Sequence, residues 1–302
     1  MISNVGTQQY ILPDFLIIGA AKCGTTSMAD YLAQHSKVFI PKIKECRFFS
    51  GMTPDFKGPG DYVVNQEMIT EIGDYVNQFS GQEQKFLGDA SVDYLYYYKN
   101  TIANIYKYYP KDKLPKLIIS LRNPVNRTFS MYAHLKRDLR ETLSLPDAIA
   151  AEKEREEAHW EWVWQYTAAS LYCKQVQYFL EHYDADKIYI SIYEDFVKDT
   201  EQGMKGIFEF LELDVEYINT EKILNPSGEA KNKTLQRLIV NKGPVVASIK
   251  KLIPQGLKDY FVAKNLKSFR ITEDDIALLQ PIFKEDIAQL EKLLNKELID
   301  WK

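Results

Sequence analysis

The chain is poor in cysteine: three in 302 residues, Cys23, Cys46 and Cys173, set far apart. That excludes a disulfide framework and a cysteine zinc site, and makes a reducing, cytoplasmic setting the expectation. No His, Cys, Asp or Glu cluster has metal-ligand spacing, so no metal is expected. No run of about 18 apolar residues occurs, and no membrane span is expected. The opening MISNVGTQQYILPDF has neither a basic region nor an apolar core, so it does not read as a secretion signal. Excess positive charge is missing too. The net charge of −4 and pI of about 5.7 argue against nucleic acid or a polyanionic glycan as main partner.

What is present suffices for a large core, with 45% hydrophobic and 26% charged residues. Phe15-Leu16-Ile17-Ile18 is a short apolar run of the buried parallel-strand type. It runs into Gly19-Ala20-Ala21-Lys22-Cys23-Gly24-Thr25-Thr26-Ser27, and a helix is expected from about Thr25, with Met28, Tyr31 and Leu32 at helical spacing. Strand, tight loop and helix N-terminus make an anion cradle, to which Lys22 adds a full charge. A nucleotide-triphosphate loop places its lysine after the second glycine; here Lys22 stands two residues before Gly24.

Further along, Val38-Phe39-Ile40 suits a short strand, and PKIKECRFFS after it suits a turn with polar residues at a cleft and Phe48 and Phe49 as anchors. Glu45 there is a candidate general base, or a partner of Lys42 or Lys44. A helix is expected near 65–79, a strand opening into a loop over Phe86–Tyr94, and a helix carrying Ile102, Ile105, Tyr106 and Tyr109 up to Pro110. Lys116–Arg122 reads as a second buried strand, and Pro124 starts a helix to about Lys136. Arg122 therefore lies at a strand's C-terminal edge, where open α/β sheets bind ligands, and its guanidinium can grip a phosphate. Helices are expected around Tyr172–Leu180 and Met204–Leu211, with a parallel strand over Lys187–Phe196 between them.

Taken together, loop and strand edge resemble the two halves of a cofactor site in sulfotransferases that use 3′-phosphoadenosine 5′-phosphosulfate (PAPS). The loop resembles their 5′-phosphosulfate loop, which implies donor contacts from Lys22, Cys23, Gly24, Thr25, Thr26 and Ser27. LRNPVNRTFSMY resembles their 3′-phosphate segment, with Arg122 and Ser130 at the matching positions. PKIKECRFFS resembles the KExHFF segment of the carbohydrate-type and bacterial branch, implying Glu45 as base, although Arg47 stands in place of the usual histidine. GDASVDYL resembles a segment beside the acceptor, which brings in Asp89 and Tyr94; Ala90 replaces the substrate-gripping lysine of heparan-type enzymes. YEDF resembles a segment whose tyrosine, here Tyr193, lies near the adenine, and the 225–233 loop resembles the one that closes over the cofactor phosphates, implying Lys231 and Lys233. ITEDDIALLQPIFKEDIAQLEKLL fits the closing helix, and the matches span roughly residues 13–295.

Two stretches have unusual composition. Residues 138–161 carry eight acids against three bases, followed by Trp160, Trp162 and Trp164, either core packing or an acceptor wall for a cation or sugar ring. Residues 230–270 carry ten Lys or Arg against Asp259, a solvated face or contact with an anionic surface.

The resulting expectation is a P-loop-like three-layer α/β fold, one domain over 1–302, with a mostly parallel central sheet, helices on both faces and helical additions near 140–165 and 215–270. The resemblance implies transfer of a sulfuryl group from PAPS, leaving PAP, to a hydroxyl or amine. The acceptor would be a small molecule, a secondary metabolite of alkaloid-like kind, or a sugar. Glu45 would act as base and Lys22 would face the leaving phosphate. A nucleotide kinase or a non-catalytic nucleotide-binding protein are the alternatives.

Overall fold

The computed structural model describes residues 2–5, 8–42, 45–82, 85–220, 229–232, 235–236, 265–267 and 269–301. The chain begins with an antiparallel hairpin, β1 (Ile2–Val5) and β2 (Gln8–Ile11), an element the residue pattern had not suggested. Then follow β3 (Phe15–Gly19), α1 (Thr25–Leu32), β4 (Val38–Phe39), α2 (Tyr62–Glu67), α3 (Ile72–Asn77), β5 (Phe86–Ala90), α4 (Tyr98–Tyr108), β6 (Lys116–Leu121) and α5 (Pro124–Arg137). After these come α6 (Leu145–Ala150), α7 (Glu152–Glu157), α8 (Tyr172–His182), β7 (Ile188–Ile192), α9 (Tyr193–Lys198) and α10 (Thr200–Leu211). A two-residue pair, β8 (Glu229–Ala230) with β9 (Leu266–Lys267), precedes the long helix α11 (Glu273–Leu294).

The central sheet has five strands in the order β4-β5-β3-β6-β7, every pairing parallel. Its first-laid strand, β3, is central and wholly buried, so its side chains alternate into two cores. Leu16 and Ile18 join Leu117 and Ile119 on one face, under Ile102 and Ile105 of α4, Val176 and Phe179 of α8, and Phe283 and Leu290 of α11. Phe15 and Ile17 join Ile118 on the other, under Met28 and Leu32 of α1 and Met204, Ile207 and Phe208 of α10. This is the α/β three-layer arrangement expected from alternating strand and helix signals.

Helix ends follow local chemistry. Asn123 caps α5 by accepting from the amides of Val125 and Asn126, with Pro124 in the first turn. Thr272 and Asp275 form a reciprocal capping box that opens α11. Asp286 of α11 accepts from the Tyr172 and Cys173 amides, closing the start of α8.

Two boundaries differ from the sequence reading. The helix expected near 65–79 is two short helices, because Met68 and Glu71 are extended. The strand expected over 187–196 ends at Ile192, and Tyr193 opens a helix whose first turn holds Glu194 and Asp195, acids that suit a helix N-terminus. The additions near 140–165 are α6 and α7; most of 215–270 lies outside the described residues. Among the described residues, no helix is long and apolar enough to cross a membrane.

Candidate active site

The C-terminal edges of β3 and β6 open onto a cleft of about 820 Å³. At its floor lies the 20–24 loop, with its carbonyls already engaged. The Cys23 carbonyl accepts from Ser120 Oγ at 2.6 Å, Ala21 from Arg127 Nε at 3.1 Å and Lys22 from Arg122 Nη1 at 3.2 Å. With those acceptors turned inward, the loop leads into the N-terminus of α1, the end of a helix that favours an anion. Gly24 caps that helix at φ 79°, and a Cβ there would come within 2.9 Å of the Tyr193 ring. Only glycine fits both the conformation and the contact.

Lys22, Thr25, Thr26 and Ser27 line the cleft beside Arg122, Ser130 and Tyr193. Lys22 is pulled down to about 8, chiefly by burial and by Arg137, with Arg127 and Arg122 adding to it and Asp138 opposing. Arg122 stacks over Tyr193, 4.8 Å from its centroid, and its buried Nε has no hydrogen-bond partner among the described residues. An unsatisfied buried donor on a cation is costly in a protein and points to a missing anion. Tyr193 thus touches both ends of this half-site, Gly24 and Arg122. Beneath it, Glu194 accepts from the Asn123 amide at 3.0 Å and from Trp301 Nε1 at 3.0 Å, while Asn123 Nδ2 donates to the Asp300 carbonyl at 3.1 Å.

The other half of the cleft is made of side chains on irregular backbone. Glu45 and Arg47 both adopt left-handed φ, 66° and 60°. The Arg47 fork donates from Nη2 to Glu45 at 2.9 Å and from Nη1 to Glu161 at 2.8 Å. Glu161 also meets Arg140 at 3.4 Å, and Arg140 pairs with Asp61. Asp61 is fully buried and further accepts from the amides of Gly58 and Glu161 and from Trp164 Nε1. His134, also on the cleft wall, is pulled down to about 3, first by burial and then by Lys22. Its Nδ1 lies 2.7 Å from Arg137 Nη2, which can only donate, so the ring is a neutral acceptor there.

A sulfotransferase-domain family model matches residues 12–290. The chain belongs to the sulfotransferase family. A sulfotransferase from Alicyclobacillus acidocaldarius, solved by crystallography, is 32% identical, covers 96% of this chain and 98% of its own, and superposes with a TM-score of 0.75. Membrane-associated sulfotransferase kil1 of Dictyostelium discoideum is 30% identical over 121 residues, 40% of this chain and 22% of that protein, so the chain spans about a fifth of the length of that curated relative. A mouse sulfotransferase complexed with PAP aligns over 91% of this chain and 85% of its own at 14% identity, with a TM-score of 0.48.

Against the family pattern, the residues singled out in the sequence divide in three. Lys22, Gly24, Thr25, Thr26, Ser27, Arg122, Ser130, Tyr193, Glu45, Arg47 and Trp162 share the cleft. Trp162 forms a back wall, stacked on Tyr96, with the Arg127 guanidinium 5.8 Å from its ring. The Cys23 side chain instead turns into the core, where burial pushes its thiol up to about 11, so only its backbone is left to face a ligand. Asp89 and Tyr94 are buried and bonded to each other at 2.7 Å, with Tyr75 and Ser91 on the same carboxylate. They lie under the segment after Glu45, where the Phe49 amide donates to the Tyr94 hydroxyl at 3.3 Å, and are not among the cleft-lining residues. Trp164 is 1% exposed and packs on Trp160 and Arg140 with its N–H on Asp61, and neither Trp160 nor Trp164 is among the lining residues. The tryptophan-rich stretch is therefore mostly core packing. Lys231 is exposed and bonds Asn265 through its amide; Lys233 lies outside the described residues.

Sequence reading missed Arg127, Asp61, Arg140 and Glu161 as parts of the site. Arg127 stood in the phosphate segment, but nothing local marks it as the residue that reaches Ala21. The pairs Asp61–Arg140 and Arg47–Glu161 link positions 79 and 114 residues apart, a separation no local pattern encodes.

Proposed function

We propose that this protein moves a sulfuryl group from PAPS to a hydroxyl or amine of a small-molecule or sugar acceptor. The observation that carries the reading is one cleft lined by two cationic segments, the Lys22 loop and the Arg122–Ser130 edge, and by a carboxylate, Glu45. A donor charged at both ends fits these residues, because Arg122 Nε is a buried donor with no partner among the described residues and Lys22 stands at the N-terminus of α1. PAPS supplies the activated sulfuryl group when bound. Lys22 and the first-turn amides of α1 would hold its 5′ end, Arg122 and Ser130 its 3′-phosphate, and Tyr193 its adenine side.

In this scheme Glu45 takes the proton of the attacking O–H or N–H as the new bond to sulfur forms. The bond from sulfur to the 5′-phosphate oxygen breaks, and its electron pair leaves with that oxygen, facing Lys22. Positioning and charge stabilisation carry most of such a transfer, as they do for phosphoryl groups. Lys231 and Lys233 are proposed as closing cations on the family pattern alone.

Calorimetric titration with PAP and with ATP, without magnesium, tests the donor class. We expect PAP to bind at least tenfold more tightly. ATP binding as well as PAP, or improving with magnesium, would overturn the Arg122–Ser130 assignment and favour a kinase.

A further inference from the structure

The ionic cluster behind Glu45 is ordered as an alternating chain: Asp61, Arg140, Glu161, Arg47, Glu45. It holds three carboxylates against two guanidiniums. Glu45 is the terminal member and the most exposed carboxylate of the three, at 25% against 3% for Glu161 and 0% for Asp61. A proton added to Glu45 therefore leaves two buried carboxylates matched to two partly buried cations. Without Glu161 the same proton would leave Arg47, only 12% exposed, with its neighbouring carboxylates reduced to the fully buried Asp93, an arrangement that penalises proton uptake.

We infer that Glu161 is a positioning residue for the transfer reaction: as the resident counter-ion of Arg47, it frees Glu45 to accept the acceptor's proton. The inference rests on the sulfotransferase reading for the identity of that acceptor, but not for the proton chemistry of the cluster.

Geometry supports this division of labour. Each Arg47 amino group serves one carboxylate, so the fork is shared and not spent bidentately on Glu45. Glu161 is held on its far side by Arg140, and its own amide is bonded to Asp61, so it cannot follow if Glu45 moves. The Arg47 amide is pinned to Ser91 and its carbonyl to Ser50. The charged groups that face Glu45 are Arg47 on its own segment, Asp89 and Asp93 from β5 and the turn beyond it, and, through Arg47, Glu161. Burial pushes Asp93 up to about 7, against the pull of Arg47.

The test is a direct titration that needs no acceptor. Full-length protein labelled with carboxyl-¹³C glutamate is titrated by NMR, with the Glu45 resonance assigned by its absence in Glu45→Gln. In Glu161→Gln, Arg47 turns wholly to Glu45, and the Glu45 midpoint should fall by about one pH unit. In Arg140→Gln, Glu161 is released toward Arg47, and the midpoint should rise. An unchanged midpoint in Glu161→Gln, or a rise, overturns the inference. Should that variant fail to fold, an unchanged or lowered midpoint in Arg140→Gln overturns it equally. Failure of PAP to bind would remove the donor assignment while leaving these midpoints readable, so the two readings fail separately.

Discussion

The two halves of the cleft are built from different materials. The half proposed to hold the donor, the donor half below, consists of regular elements: a buried strand, a loop whose carbonyls are tied down, two helix starts, and cations whose buried donors are left over. The half proposed to face the acceptor, the acceptor half below, consists of side chains that satisfy one another across irregular backbone, with Asp61 alone accepting from Gly58, Glu161, Trp164 and Arg140. One half is open for a ligand's charge. The other has balanced its own charges, and leaves one carboxylate at the end of the row. The lesson is that a binding half can be read as unmet hydrogen-bond demand, whereas a chemical half must be read as a charge count.

That contrast can be broken in order of expected effect. Glu45→Gln keeps the shape of the acceptor half and removes its proposed proton acceptor. PAP release from PAPS should slow by roughly 10²–10⁴-fold while PAP binding persists. Unchanged turnover would mean the base lies elsewhere. Arg122→Met removes the leftover donors of the other half, and PAP affinity should fall by about 10²-fold, the span of hydrogen bonds to a charged group. A loss below threefold would detach Arg122 from the donor. The smallest effect is one of pH. With Lys22 at about 8 in the free protein, a bound anion restores its charge, so binding takes up a proton above that pH. PAP affinity should therefore decline as pH rises through 8, by at most about tenfold per unit, and calorimetry in buffers of different ionisation heat reads the proton directly. In Lys22→Met the decline should flatten.

The donor half was also the legible one. Phe15–Ile18, the glycine loop and the Asn123-Pro124 helix start are local patterns, each with a near-neighbour cause, and the sheet order places their ends together. Arg122 and Lys22 needed only that the strands be parallel. The acceptor half was legible in Glu45, Arg47 and Trp162. Their partner Glu161 sits among tryptophans, and a row of aromatics with an acid reads equally as a ligand wall or as packing. Burial decided it, since Trp164 spends its N–H on Asp61 and has none to offer a ligand. Asp89 and Tyr94 were misread for a related reason: a strand-end carboxylate looks available until three hydroxyls from the core are found on it.

Trp301 gives the chain's last described turn an importance out of proportion to its length. Its indole holds Glu194, Glu194 holds the Asn123 amide, and Asn123 starts the helix that follows Arg122. In the vocabulary of protein handling, this turn is a latch and not a tail. A cleavage site, affinity handle or truncation that disturbs residues 299–301 acts on the donor half, and a preparation that has lost them would pass for a weak binder with every residue of the cleft itself intact.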